Sequence, residues 1–250
     1  GVSYSIAAGH SIGEYAALVT AEAMPFASAM RAVRIRGQAM QSAVPVVDGG
    51  MFAVMGLDQG QIEQMCRYVV EKSGFGPLSP ANYNSPGQIV ISGNQKALDW
   101  LKNSFKPEEL WPEIKRVKLI PLQVSAPFHC AMMKPAEDRM RSVLSEIEFK
   151  KAKFPIIQNF TAQPVVDGAA LRENLIRQIS APVLWLQSME TLKNWHSDKP
   201  ILCIEAGAGK VLQGLLKKID SEVFQVFNTN SLEDLETIEK KVKETQKGMS

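Results

Sequence analysis

The sequence predicts an α/β protein that consists of a parallel-sheet core and one inserted subdomain. Three observations support this prediction. Short apolar runs alternate with segments whose apolar residues recur at helical spacing. A serine between two glycines joins the first apolar run to the first helical segment. Residues 51–121 follow a different order of strands and helices, so we assign the core to residues 1–50 and 122–250.

The elements of the core are predicted from two kinds of pattern. Strands are expected where short runs are rich in apolar residues, as in a buried parallel sheet: VSYSIAA, FPIIQNFT and ILCIEAG. Helices are expected where apolar residues recur every three or four positions: EYAALVTAEA, PFASAMRAVRIRGQAMQSAV, the part of PLQVSAPFHCAMMKPAEDRMRSVLSEIEF after its turn, GAALRENLIRQIS, GKVLQGLLKKI and the charged tail 231–247. Met132, Met133, Met140 and Leu144 are expected to pack in the core rather than to bind a cofactor.

The inserted residues 51–121 follow the order β-α-β-β-α-β, which is the ferredoxin-like pattern. Its strands and helices, in order, are MFAVMG, DQGQIEQMCRYVVEK, LSPANYN, GQIVISG, NQKALDWLKNSF and IKRVKLI. Ser85-Pro86-Gly87 predicts a tight turn between the two middle strands. The charged stretch KPEELWPEIKR is expected to be a solvated connection.

Composition excludes several classes of function. The 250 residues carry a formal net charge of +2, from 28 basic and 26 acidic residues without a sustained basic stripe, which argues against nucleic acid as a partner. Cys66, Cys130 and Cys203 form no CxxC pair, so neither a disulfide framework nor a metal site is expected. No apolar run approaches the ~20 residues of a membrane span, and the N-terminus lacks a signal-peptide pattern. We therefore expect a cytoplasmic protein that does not bind a membrane.

The segment EAGAGKVL is similar to a phosphate-binding loop, in which Gly-Lys is followed by Ser or Thr. Here Val211 follows Lys210, and Ile204 stands where the first glycine is required. Nucleotide binding is therefore not expected, and no cofactor is predicted.

The segment from Gly9 to Gly13 fits the motif G-x-S-x-G, which is typical of the nucleophile elbow in an α/β-hydrolase-like core. The glycines allow a sharp turn that exposes the Ser11 hydroxyl, and the N–H of the next residue, Ile12, faces a developing oxyanion. The alternative is a serine that caps the following helix. We favour the elbow because two glycines flank the serine and an apolar strand precedes it.

A serine nucleophile needs a base, and the chain has three histidines. His10 lies inside the elbow, and His196 lies in the polar segment NWHSDKP. His129 is the best candidate because it follows Pro127 and Phe128 in a turn between a strand and a helix, where a side chain can face a cleft. A buried structural histidine would produce the same pattern, so both interpretations stay open.

The helix that follows the elbow segment carries three arginines. Arg31 and Arg34 are assigned to a solvated basic face. Arg36 belongs to the same segment, RIRGQAM, and spacing alone does not separate it from that face.

Six segments in order carry a resemblance to a known family: GHSIGEYAALV, RIRGQAMQ, NYNSPGQIVISG, VSAPFHCAMMKPA, RQISAPVLW and EAGAGKVLQGL. Together they closely resemble the malonyl-CoA:acyl-carrier-protein transacylases of fatty-acid synthesis. The resemblance extends from about Ala8 to about Asn228. It implies that malonyl passes from coenzyme A to a serine and then to the phosphopantetheine thiol of acyl carrier protein, with ping-pong kinetics. It implies malonyl-CoA and acyl carrier protein as partners, and we expect a monomer.

The resemblance also implies a role for individual residues. Ser11 is the nucleophile, and His129 is the general base and then the general acid. Ile12 supplies a backbone oxyanion donor, and Arg36 pairs with the malonyl carboxylate. Gln178 occupies the position whose backbone carbonyl orients the histidine, in place of the usual carboxylate.

Two more residues are assigned to substrate binding. Phe128 resembles the malonyl-selecting form of its loop, in which a bulky ring leaves little room for an α-methyl branch. His10, inside the elbow, is the second. Members of the family begin with an additional strand-helix portion that carries a Pro-Gly-Gln-Gly-type loop, and nothing in this sequence corresponds to it. We therefore expect the chain to represent the family without its N-terminal portion.

Two alternatives come from other classes of function. A serine esterase or thioesterase of the α/β-hydrolase type would use the same elbow with a late acid and histidine, such as Asp167 and His196, and would release acyl groups to water. A noncatalytic remnant would bind the carrier protein without acyl transfer. The first alternative makes Arg36 irrelevant to activity.

Overall fold

The chain divides into two compact units, which are Ser5–Ser188 and the combination of Gly1–Tyr4 with Met189–Ser250. All the site residues assigned from the resemblance lie in the first unit, so its fold determines how they are placed. The structure is a computed structural model, and it describes residues 4–45, 47–195 and 200–247.

The first unit contains both helices and strands, and its strands differ widely in length. Its helices are α1 (Gly13–Thr20), α2 (Phe26–Ser42), α3 (Gln59–Ser73), α4 (Gln95–Ser104), α5 (Lys134–Ser145) and α6 (Gly168–Arg177), and α7 (Trp185–Trp195) contains the boundary between the units. Its strands are β1 (Ala7–Ala8), β2 (Gly49–Met55), β3 (Leu78–Ser85), β4 (Gln88–Asn94), β5 (Lys118–Pro121), β6 (Ile156–Ile157) and β7 (Pro164–Val165). Short 3₁₀ turns cover Pro107–Glu109 and Ala131–Met133.

The first core of this unit packs α1, α2, α5 and α6 around a small sheet. In that sheet β1 pairs in parallel with β6, and β6 pairs antiparallel with β7. Leu18, Met133, Met140 and Leu144 are fully buried in the core, and Met132 packs against it. The methionines of the α5 segment are therefore packing residues, as the sequence predicts.

A second core lies under a four-stranded antiparallel sheet with the strand order β3-β4-β2-β5. Helices α3 and α4 contribute apolar side chains such as Ile62 and Leu98 to this core. Asp58 begins α3 with a capping box in which its side chain accepts a hydrogen bond from the Gln61 backbone N–H. The connection KPEELWPEIKR is not wholly solvated, because the Trp111 ring is only 8% exposed and packs into this core.

The second unit contains β8 (Ile201–Glu205), α8 (Val211–Asp220), β9 (Phe224–Asn228) and α9 (Leu232–Lys247), and β8 pairs in parallel with β9. The loop between β8 and α8 is the EAGAGKVL segment. The Glu205 carboxylate accepts hydrogen bonds from the Leu212 and Gln213 N–H groups at 2.9 Å each. A side chain of the protein itself thus occupies the helix N-terminus that a phosphate would need.

The α/β class is confirmed, but the predicted parallel strands are shorter than expected and are distributed over two sheets in the described residues. VSYSIAA forms a strand only at Ala7–Ala8, and residues 1–3 lie outside the described residues. FPIIQNFT forms a strand only at Ile156–Ile157, because the next two side chains, Gln158 and Asn159, turn into a buried polar network. Among the described residues, no helix combines the length and apolar character of a membrane span.

Candidate active site

The turn between β1 and α1 places Ser11 in a left-handed backbone conformation, with φ of 52°. A non-glycine residue adopts this conformation rarely, and such strain is concentrated at functional sites. Gly9 makes the turn possible, since a Cβ there would overlap the backbone of Gly13 and Glu14. The Ser11 backbone N–H donates to Asn159 Oδ1 at 2.6 Å, which fixes the turn against the end of β6. The geometry is that of an elbow, as the motif predicts.

His129 lies within hydrogen-bond distance of the serine. Its Nε2 is 2.7 Å from Ser11 Oγ, and its Nδ1 is 2.9 Å from the Gln178 carbonyl oxygen. A carbonyl only accepts, so Nδ1 carries the proton and Nε2 is free to accept the serine proton. Burial, with the positive charge of Arg36 as the next cause, lowers the pKa of His129 to about 3. The ring is therefore a neutral base at physiological pH.

Arg36 is separated from the other arginines of α2 by burial. It is 6% exposed, whereas Arg31 and Arg34 are exposed. Its Nη2 donates to Ser11 Oγ at 2.9 Å and to Gln178 Oε1 at 3.3 Å. Its Nε is buried and has no hydrogen-bond partner among the described residues. A buried guanidinium with a free donor, beside a serine hydroxyl, suits an acyl group that carries a carboxylate.

Gln178 contributes both its backbone and its side chain to the site. It follows the last residue of α6 and is fully buried. While its carbonyl accepts from His129, its side-chain Nε2 donates to the Ser11 carbonyl oxygen and to Glu14 Oε2, at 3.1 Å each. One residue thus links His129, Ser11 and Arg36.

Glu14, Gln158 and Asn159 were not predicted as site residues from the sequence. All three are fully buried. The Glu14 carboxyl group accepts from Asn159 N at 2.8 Å and from Gln158 Nε2 at 3.1 Å, in addition to its bond with Gln178. Burial raises the pKa of Glu14 to about 7, although these donors and Arg36 act in the opposite direction. A signal was present, since a glutamate within an apolar helical stripe must be paired or must have a perturbed pKa.

The remaining assigned residues lie around this centre. Ile12 immediately precedes α1, and its side chain is 52% exposed. Phe128 is half-buried and packs against the first core. His10 Nε2 is 2.8 Å from Asn84 Oδ1 of β3, and its ring centroid is 5.4 Å from that of Trp185. These contacts do not test the roles assigned to Ile12, Phe128 and His10, so those roles stay predictions.

Of the two residues named for the esterase alternative, the structure describes only Asp167. Asp167 begins α6, where its carboxylate accepts from the Ala170 N–H at 2.8 Å. His196 lies outside the described residues. Within the described part of the chain, no group of three His, Cys, Asp or Glu side chains is placed to hold a metal ion.

Comparison with known proteins identifies the family. The acyl transferase domain family matches residues 1–223. A malonyl CoA-acyl carrier protein transacylase from Staphylococcus aureus (strain MSSA476) is 38% identical over 227 residues, which cover 91% of this chain and 70% of the relative. The chain belongs to this acyltransferase family.

Solved structures agree with this assignment. The malonyl CoA-acyl carrier protein transacylase from Coxiella burnetii superposes with a TM-score of 0.86 at 34% identity, covering 97% of this acyltransferase and 72% of that chain. A malonyl-transacylase solved in complex with a type II PKS acyl-carrier protein superposes with a TM-score of 0.84 at 36% identity. The match covers 95% of this acyltransferase and 72% of that chain. The acyltransferase thus spans about 70% of the length of these proteins.

Proposed function

We propose that this acyltransferase moves malonyl from malonyl-CoA to the phosphopantetheine thiol of acyl carrier protein, through an ester on Ser11, in fatty-acid biosynthesis. One observation carries the proposal. The buried Arg36 guanidinium donates to the same hydroxyl oxygen that lies 2.7 Å from the His129 base. A cation at this point can bind the free carboxylate of a malonyl group while its thioester faces the nucleophile. The names of the two transacylases from Staphylococcus aureus and Coxiella burnetii support the same substrates.

The first half-reaction begins when His129 Nε2 accepts the Ser11 proton and Oγ attacks the thioester carbon. The C–O bond forms as the carbonyl becomes an oxyanion, for which the Ile12 N–H at the start of α1 is the proposed donor. The C–S bond then breaks, and the imidazolium gives its proton to the departing coenzyme A thiolate, which leaves as the thiol. The Gln178 carbonyl, 2.9 Å from Nδ1, holds the ring in the tautomer that both transfers require.

The second half-reaction reverses these roles. His129 removes the proton from the phosphopantetheine thiol, and the sulfur attacks the malonyl ester. When the C–O bond to Ser11 breaks, the imidazolium protonates Oγ. The free enzyme is restored without a cofactor, because every proton is carried by the imidazole.

Selection of the acyl group is assigned to three residues. Arg36 holds the carboxylate, and Phe128 limits the space next to the acyl α-carbon. His10, whose pKa is lowered by burial, is proposed to border the substrate in its neutral form.

The finer fold assignment belongs to the same proposal. Residues 51–121 are proposed to form a ferredoxin-like subdomain, for which the strand order β3-β4-β2-β5 and the two intervening helices are the support. Residues 1–50 and 122–250 are proposed to form an α/β-hydrolase-like core around the elbow. The cytoplasmic location and the monomeric state stay predictions from the sequence.

The test is a two-step transfer experiment with radiolabelled malonyl-CoA. Purified protein is mixed with the thioester, quenched in acid and analysed for label on Ser11, with Ser11→Ala as control. Addition of the thiol-bearing carrier protein should then move the label to its phosphopantetheine. Label released mainly as malonate would indicate the esterase, and carrier binding without any label on Ser11 would indicate a noncatalytic protein. Either result would overturn the proposal.

A further inference from the structure

Glu14 is a buried carboxyl group that the proposed reaction does not use. It lies in the first turn of α1 and has no exposed surface. Within the described part of the chain it forms no ion pair, and its oxygens accept instead from three N–H donors. Oε2 accepts from Asn159 N and Gln178 Nε2, and Oε1 accepts from Gln158 Nε2. Burying a carboxyl group costs free energy, which its hydrogen bonds must offset. We therefore look for the role of Glu14 in the groups that donate to it.

Two of these partners connect directly to the reacting groups. Asn159 accepts from the Ser11 N–H through Oδ1 and donates through Nδ2 to the Gly9 carbonyl at 2.8 Å, so it spans the elbow. Gln178 donates to the Ser11 carbonyl oxygen and accepts from Arg36. Both residues are therefore one hydrogen bond away from the nucleophile or the guanidinium, and Glu14 is two.

The direction in which each amide points depends on what surrounds it. Gln178 Nε2 faces three acceptors, namely the Ser11 carbonyl, Glu14 and Asn159 Oδ1, so its oxygen must face Arg36. An acceptor at position 14 keeps this amide and the Asn159 backbone in place. An apolar side chain there would leave buried donors unpaired and would release the amide that contacts Arg36.

We propose that Glu14 is a positioning residue, which holds Gln178 and Asn159 and through them fixes both the Ser11 elbow and the Arg36 guanidinium. The effect on Arg36 rests on the proposed malonyl transfer, whereas the effect on Ser11 does not. Glu14 itself does not contact the acyl group in this assignment. Its contribution is to hold the backbone of Ser11 rigidly, so that Ser11 Oγ stays within hydrogen-bond distance of His129 Nε2.

The experiment compares Glu14→Met, which keeps the length of the side chain but removes both acceptors, with Glu14→Gln, which keeps one acceptor. The first readout is the second-order rate at which a neutral fluorophosphonate labels Ser11. The second is the ratio of kcat/KM for malonyl-CoA to kcat/KM for acetyl-CoA. We expect Glu14→Met to lower each by about 10- to 100-fold, the range for buried donors left without an acceptor, and Glu14→Gln to restore most of each.

Glu137→Met is the matched control, because Glu137 is also a buried carboxylate but bonds to Lys134, Arg141 and Ser180. It should lower thermal stability without changing either readout. A purely structural role for Glu14 would reduce the fraction of protein that labels, while the rate constant and the ratio stayed at the wild-type values. That result would overturn the proposal.

A second variant decides the matter if Glu14→Met does not fold. Gln178→Met removes the amide that Glu14 holds but keeps the backbone carbonyl that orients His129, so the malonyl-to-acetyl ratio should fall as for Glu14→Met. An unchanged ratio would overturn the proposal. If the wild-type chain forms no malonyl ester at all, the proposed function fails by itself. The labelling rates then still decide whether Glu14 positions Ser11.

Discussion

Replacing Arg36 with alanine tests the recognition of the substrate carboxylate. The guanidinium is 6% exposed, donates to Ser11 Oγ and Gln178 Oε1, and keeps a buried Nε without a partner among the described residues. Malonyl-CoA has a terminal carboxylate that acetyl-CoA lacks. We therefore expect Arg36→Ala to reduce malonyl transfer strongly, while acetyl transfer stays constant or rises.

The size of the effect follows from the burial of the pair. Removing one partner of a desolvated charge pair costs about 2–5 kcal/mol, which corresponds to about 30- to 5,000-fold in kcat/KM. Acetyl transfer does not lose this pair. It also gains a more basic catalyst, because Arg36 is one of the causes that lower the pKa of His129. The malonyl-to-acetyl ratio of kcat/KM should therefore fall at least about 30-fold.

The assay measures kcat/KM for both thioesters with the same carrier protein, in the wild type, Arg36→Ala, Arg36→Lys and Arg34→Ala. Arg34→Ala is the matched control, since it removes an exposed arginine from the same helix. Lysine keeps the charge but cannot form two parallel hydrogen bonds with a carboxylate, so Arg36→Lys should lie between wild type and alanine. If Arg36→Ala lowers kcat/KM for the two thioesters by the same factor, the guanidinium does not recognise the carboxylate and the reasoning is refuted.

Three further predictions concern pH and the elbow. Burial lowers the pKa of His129 to about 3, so the rate at which a neutral fluorophosphonate labels Ser11 should show no decrease centred near pH 6.5 as the pH is lowered. A decrease centred near pH 6.5 would contradict a neutral buried base. The pKa of Glu14 is raised to about 7 in the fold, so its contribution to the free energy of unfolding is complete below about pH 4.5 and is lost as the pH rises through 7. Denaturant titrations at pH 5 and pH 8 should therefore show a loss of a few kcal/mol that is smaller in Glu14→Gln, and an equal loss in both proteins would argue against this linkage. Gly9→Ala places a Cβ against the backbone of Gly13, so it should lower the free energy of unfolding by about 1–3 kcal/mol or more. It should also lower the rate at which Ser11 is labelled. Gly13→Ala meets no atom within 4 Å, so it should change little, and equal behaviour of the two variants would refute this steric argument.

The sequence predicted the fold best where the local pattern was long. The segments assigned to residues 51–121 form four strands and two helices in the predicted order, because each has enough apolar residues at one spacing. The predicted strand FPIIQNFT forms at Ile156–Ile157 but does not continue into Gln158 and Asn159. Those side chains leave the ladder for the Glu14 network, a tertiary interaction that no local pattern contains.

Three of the strands and helices in the described residues were not predicted, namely β7, β9 and α7. β9, FQVFN, mixes buried and exposed positions in five residues, so it has no clear strand pattern. In α7, WLQSMETLKNW, Met189 and Leu192 follow Trp185 at helical spacing, so a usable signal was present.

For the site, local rules singled out Ser11 as the proposed nucleophile, because the G-x-S-x-G pattern has a backbone cause at Gly9, where a Cβ would overlap the backbone of Gly13. They did not separate Arg36 from Arg31 and Arg34 as long as the helix was treated as a row of charges. The useful signal was the register of Arg36 among Ala29, Ala32, Ala39 and Met40, all of which are buried. A charged residue in an apolar stripe is a stronger indication of a site than a charge counted by distance from a motif.

The same register argument applies to Glu14, which also lies among buried apolar residues of its helix. The charge of Arg36, in turn, gives a reason why a carbonyl, and not a carboxylate, lies against His129 Nδ1. A carboxylate at that position would lie close to Arg36 and would compete with the substrate for its charge. The Gln178 carbonyl orients the imidazole without adding charge, and its amide binds Arg36 through a neutral oxygen. Glu14 is the carboxyl group of this network, and burial raises its pKa to about 7, so part of its population is protonated at physiological pH. We infer that both features leave the guanidinium positive enough to attract a malonyl carboxylate.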